Sequence, residues 1–150
     1  MALYRKGGFT LVELMVTVAA VAILATIAYP SYVENIRKVR RSDAEGALMG
    51  LTNAMERYYT INNTYENTTQ GGALPGSPLA TLYPSEAPLE GATKYYDLRI
   101  TDAQVGSYSL AAMPKGNTDQ FKDKCGTLTL TSTGVRDTLN VYGKTAQDCW

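Results

Sequence analysis

The chain has 150 residues, room for one modest domain and a membrane span, with 14 basic and 14 acidic residues and no histidine. A formal charge of zero argues against a general nucleic-acid footprint, and the missing histidine removes the commonest general base and metal ligand. No nucleophile motif and no glycine-rich phosphate loop is present, so neither an enzyme nor a cofactor is expected; a catalytic or ligand-binding alternative would have to use Asp119, Asp123 and Asp137.

Residues 7–29, GGFTLVELMVTVAAVAILATIAY, are apolar after the two glycines except for Glu13 and three threonines. As a helix rising 1.5 Å per residue, such a run spans about 30 Å, the thickness of a bilayer core. Only MALYRKGG precedes the apolar part, with Arg5 and Lys6 its charges. A secretory signal would end in a small-residue cleavage site. Here the run leads through Tyr29, Pro30 and Tyr32 into an amphipathic pattern, so the segment is predicted to be retained. An acid in mid-bilayer costs roughly 2.5–3.5 kcal/mol on insertion scales, so Glu13 is predicted to have a partner. Thr10 and Glu13 have capping-box spacing, which is one reading. The other needs a cut between Gly8 and Phe9, placing a new ammonium one turn from Glu13 or from the Glu13 of a neighbour.

The motif GGFTLVE followed by an apolar helix resembles the class III leader and first turn of type IV pilins, with Gly8, Phe9, Thr10, Leu11 and Glu13 in family register. The resemblance implies that a prepilin peptidase cuts after Gly8 and methylates Phe9. Gly7 departs from the pattern, because the basic residue usually abuts the cleavage glycine. The cut is set after Gly8 because that makes Glu13 the fifth mature residue. Removing residues 1–8 leaves 12 bases against 14 acids, a net charge of −2.

From Val33 apolar residues recur at Ile36, Ala44, Ala47, Leu48, Leu51, Ala54, Met55 and Tyr58, with one gap filled by Arg40. The spacing predicts an amphipathic helix continuous with the apolar run, about fifty residues long, ending near Asn62 and Asn63 and broken only by Pro30. Ser42 and Glu45 fit a capping box, but a second start there would interrupt the stripe. Pilins commonly carry a glycine where this chain has Ala22, so the resemblance implies less unwinding between Ala22 and Pro30. The basic run Arg37, Lys38, Arg40 and Arg41 is expected to be a solvated face or to pair between subunits, rather than to bind phosphates or headgroups. Taken alone, that run would hold the C-terminal part in the cytoplasm. The cysteines and the leader resemblance place it on the oxidising side.

Residues 60–93 are rich in Thr, Asn, Gly and Pro without a sustained period, a length usual for functional or disordered loops. Period-two alternation then begins at Tyr96, Leu98 and Ile100, returns at Tyr108, Leu110 and Ala112 up to Pro114, and again at Leu128 and Leu130 between threonines. A turn at Ser132–Gly134 leads toward Val135 and Arg136. Cys125 and Cys149 lie too far apart for a zinc or redox pair and predict one disulfide, two buried thiols being the alternative. Lys115, Lys122 and Lys124 form a small basic group that could touch DNA.

The whole order is similar to the type IV pilin architecture, an α+β fold. Its expected divisions are 1–8 leader, 9–32 membrane and filament-core half of the helix, 33–60 amphipathic half, 61–93 αβ-loop, and 94–150 antiparallel sheet with a disulfide-bounded C-terminal region. ERYYTINNTY, CGTLTLTSTGVR and the terminal DCW look like PilE-type minor pilins of type IVa systems. That resemblance implies a structural subunit held in the bacterial inner membrane by one pass, with its C-terminal domain periplasmic and later on the cell-surface pilus. Expected partners are the prepilin peptidase, other major and minor pilins and an inner-membrane assembly platform. The expected roles are initiation of assembly, twitching motility, adhesion and DNA uptake. The assembly residues would be Phe9, Glu13 and Pro30. A major pilin or a type II secretion pseudopilin is the alternative, and a membrane-tethered binding domain the more distant one.

Overall fold

The computed structural model describes residues 8–140 and 142–150; the first seven residues of the expected leader lie outside them. The chain divides into two compact units, the first ending at Ile36 and the second being Arg37–Trp150. One helix, α1 (Leu11–Asn62), contributes to both. Its 52 residues fit the length read from the periodicity, and no break occurs at Ser42.

In the second unit, α1 buries Ala44, Ala47, Leu48, Leu51, Ala54 and Met55, the stripe spaced at three and four residues. The stripe packs against a five-stranded antiparallel sheet in the order β1 (Glu86–Ala87), β2 (Tyr96–Ala103), β3 (Tyr108–Pro114), β4 (Thr127–Thr131) and β5 (Arg136–Leu139). Alternation puts Tyr96, Leu98 and Ile100, Tyr108, Leu110 and Ala112, and Leu128 and Leu130 on the core side. Each fully buried leucine contributes about 1.5–3 kcal/mol relative to exposure. Strand β1 and the short helix α2 (Ala146–Cys149) carry no pattern long enough to be read from sequence.

The connection from residue 60 to 93 is packed and hydrogen-bonded. Tyr65, Thr68, Thr69 and Ala87 are buried, Leu79 donates its amide to Thr68, and Gly76 exchanges backbone hydrogen bonds with Ile100. Tyr83 lies against α1 at Gly50, where a side chain on the helix would collide with the tyrosine hydroxyl. At the end of α1, Tyr59 stacks on Tyr65, whose ring meets Tyr108 edge-on, and the hydroxyls of Tyr65 and Tyr108 both donate to Glu56. Burial and then the Glu56 carboxylate push both phenols above their ordinary range.

The disulfide Cys125–Cys149 is formed and both cysteines are buried. It closes the tail over β5, where the Trp150 indole donates to the Asp137 carbonyl and Arg136 stacks over the indole ring. At the start of α2, the backbone and hydroxyl of its N-cap Thr145 donate to Asp148, which holds that carboxyl below its usual range.

Candidate assembly site

In the first unit, α1 begins with Thr10 accepting the Glu13 amide at 3.2 Å, one half of the capping box expected from their spacing. Gly8 and Phe9 precede the helix and are exposed, and Glu13 sits exposed in its first turn. The hydroxyls of Thr17 and Thr26 donate to the Leu14 and Ile23 carbonyls, so neither presents an unsatisfied polar atom to an apolar solvent. Pro30 lies inside the helix and supplies no amide to the carbonyl four residues earlier. The helix contains a stretch with mean hydropathy 2.4 over 18 residues, long and apolar enough to cross a membrane, and none of that stretch is buried. Phe9, Leu11, Val12, Leu14, Val18, Ile23, Leu24 and Ile27 are all more than half exposed. A continuous apolar face of this size in water would be a strong drive to association, so it belongs against lipid or other chains.

The three arginines of the basic run meet partners inside the second unit rather than forming a solvated face. The Arg41 guanidinium pairs with Asp123 at 2.8 Å, both side chains nearly inaccessible, and Arg37 pairs with Asp119 at 2.9 Å. Beside Arg40, which fills the gap in the apolar stripe, Arg41 is therefore a buried arginine. Gln120 donates to the Arg37 carbonyl, the Tyr96 hydroxyl and Asp123, and Tyr96 also reaches Asp123. This network straps the turn at Asp119–Lys122 to α1. Burial, reinforced by the Asp123 charge, pushes the Tyr96 phenol far up, while Arg37 holds the Asp119 carboxyl below its ordinary value. Arg40 stacks over Tyr95 at 3.8 Å, and Lys38 remains exposed. The buried pair was not recognised from sequence, although a signal exists: Arg37 and Arg41 are spaced by four, as are Asp119 and Asp123.

The carboxylates weighed as a catalytic alternative are dispersed. Asp123 and Asp119 are held by arginines, and Asp137 sits on β5, accepting the Thr138 amide. Lys115 is bound by Glu86 at 2.5 Å and Asp97 at 3.0 Å, so the three lysines do not form one open patch. Lys122 approaches Asp119 at 3.5 Å, and Lys124 is exposed.

Comparison with known proteins meets this geometry. The family described as "Type IV minor pilin ComP, DNA uptake sequence receptor" matches residues 30–129, and the prokaryotic N-terminal methylation motif matches residues 3–29. Type II secretion system core protein G of Pectobacterium carotovorum is 35% identical over 89 residues, covering 59% of this chain and 57% of its own. Type IV major pilin protein PilE1 of Neisseria gonorrhoeae is 35% identical over 87 residues, covering 57% of this chain and 48% of its own. The match thus spans about half the length of these curated relatives. The Neisseria meningitidis non-core minor pilin PilV has a similar fold, with a TM-score of 0.54 at 19% identity over 75% of this chain and 95% of that one. With its apolar N-terminal helix, α+β head and C-terminal disulfide, the chain belongs to the type IV minor pilin family.

Proposed function

We propose that the protein is a structural minor subunit of a type IV pilus. In this reading a prepilin peptidase cuts between Gly8 and Phe9 and Phe9 is methylated. Residues 9–32 hold the subunit in the inner membrane by one pass, with the head periplasmic. An assembly platform then transfers it to a filament of other pilins, whose growth it helps initiate. The observation that supports this best is the apolar half of α1, which has no cover in its own chain. Leaving the bilayer is favourable only if neighbouring helices replace the lipid, and Glu13 is then partnered by an amino terminus at Phe9. The Glu13→Ala variant is expected to insert in the membrane and fold its head normally, yet to be missing from sheared pili; normal incorporation would contradict the proposal.

A second reading adds DNA contact in uptake, supported by the description of the matching family and by exposed Lys122 and Lys124. Reversing both lysines to glutamate should weaken retention of duplex DNA in a gel-shift assay with the full chain in detergent. Unchanged retention would remove these lysines from the reading.

A further inference from the structure

Two stretches far apart in the chain meet at the start of the second unit. Arg37 binds Asp119 at 2.9 Å, Arg41 binds Asp123 at 2.8 Å, and Gln120 donates to the Arg37 carbonyl at 3.1 Å. These contacts fasten residues 119–124 to residues 37–41 of α1. Together the eleven residues carry six bases, Arg37, Lys38, Arg40, Arg41, Lys122 and Lys124, and two acids. The rest of residues 37–150 carries six bases and ten acids. The head is therefore neutral in total but polarised, four charges positive at this junction and four negative elsewhere. Counting Asp43 and Glu45, the next acids along α1, with the junction halves both figures and keeps their signs.

The fastened turn adds what the basic run of α1 lacks. Phe121 is 63% exposed, and it opens the apolar groove of about 260 Å³ that also carries Met113 and Tyr142. Lys122 follows it and, although Asp119 is 3.5 Å away, leaves 73% of its side chain exposed. Lys38 and Lys124 are exposed as well. A ring beside lysines suits the interface of a bilayer, where the ring sinks to the acyl boundary and the ammonium groups stay with the phosphates. Chain length keeps the junction near such a surface. Arg37 lies five residues past Tyr32, so it is never more than ~18 Å from the end of the proposed span. The headgroup layer covers some 5–7 Å of that distance, and surface charge is felt for about 8 Å beyond it. A head tethered over the bilayer has a high effective concentration there, so a weak contact suffices.

We propose that the Phe121 turn docks the head on the anionic lipid surface of the membrane that holds its own span. The inference deepens the pilus reading and rests on it for the subunit's place in a membrane. The test puts the full chain in vesicles of phosphatidylcholine, alone or with about a third phosphatidylglycerol. Phe121→Trp combined with Trp150→Phe leaves one indole, on the turn, which brominated acyl chains quench on contact. Quenching should be about threefold or more stronger over the charged lipid. It should fall toward the uncharged-lipid level with Lys122→Glu and Lys124→Glu, and again at about 0.5 M salt. A second readout keeps both aromatic residues. Asn117→Cys, exposed on the loop before the turn, should react with an uncharged maleimide about threefold more slowly over the charged lipid. Ser107→Cys, exposed on the β2–β3 turn, should react equally over both. Quenching and labelling that ignore lipid charge would overturn the proposal, as would an indole that duplex DNA shields and the bilayer does not. The pilus reading is judged separately by Glu13→Ala in sheared filaments, whereas docking is read in vesicles that hold no filament.

Discussion

From Leu11 to Ile27, α1 presents leucine, valine and isoleucine on every side, none of them buried; from Ala44 to Met55 the same helix presents one apolar stripe, and the sheet covers it almost completely. The first stretch lacks the polar face that would orient it on a domain, so its own chain cannot satisfy it. The second has that face and closes a core. Where one stretch gives way to the other, charge replaces grease, as Arg37 and Arg41 bind Asp119 and Asp123. The contrast separates a half of the helix that stabilises the head from a half left uncovered by its own chain, to which the proposed function assigns assembly.

The largest expected effect is at the buried pair. Arg41→Ala removes the ion-pair partner of the buried Asp123 and should cost about 3–5 kcal/mol in denaturation of the full chain in detergent. Replacing Arg41 and Asp123 together by methionine and leucine should recover much of that loss. The comparison sharpens with a matched pair of truncations. Leu51→Ala should cost the head about 2–5 kcal/mol, because Leu51 is completely buried. Leu24→Ala should change it by less than about 0.5 kcal/mol, because Leu24 is 66% exposed. Equal costs would break the division between the two stretches.

Cys149→Ser opens a loop with a sequence separation of 24 and should cost about 3 kcal/mol; reductant should bring the native chain down to the variant. The smallest effect is set by pH. The Asp119 carboxyl is held below its ordinary value by Arg37, so its contribution is present above about pH 4 and fades as pH falls through the folded-state value. The native chain and Asp119→Asn should therefore differ in stability at neutral pH and converge in acid.

Much of this division is legible in the sequence, because periodicity reports it directly. The unbroken apolar run, the stripe from Ala44 to Met55 and the alternation at Tyr96, Tyr108 and Leu128 each state which side is to be covered. What remains hidden is held by pairs far apart in the chain. Arg41 and Asp123 are 82 residues apart, and nothing local marks either as buried. The loop at 60–93 reads as irregular because its order comes from single anchors, Tyr65, Thr68 and Ala87, inserted into a core built by other elements. Glu13 and Phe9 are legible as candidates from their spacing and the leader resemblance; under the proposed function their partner would belong to a processed terminus or another subunit.

The central claim, that the first half of α1 is covered only by what surrounds the subunit, is tested most directly by the accessibility of Ile23→Cys to a membrane-impermeant maleimide. The account predicts no labelling in intact membranes, none in sheared filaments, and full labelling after detergent denaturation. Ready labelling in either intact setting would contradict it.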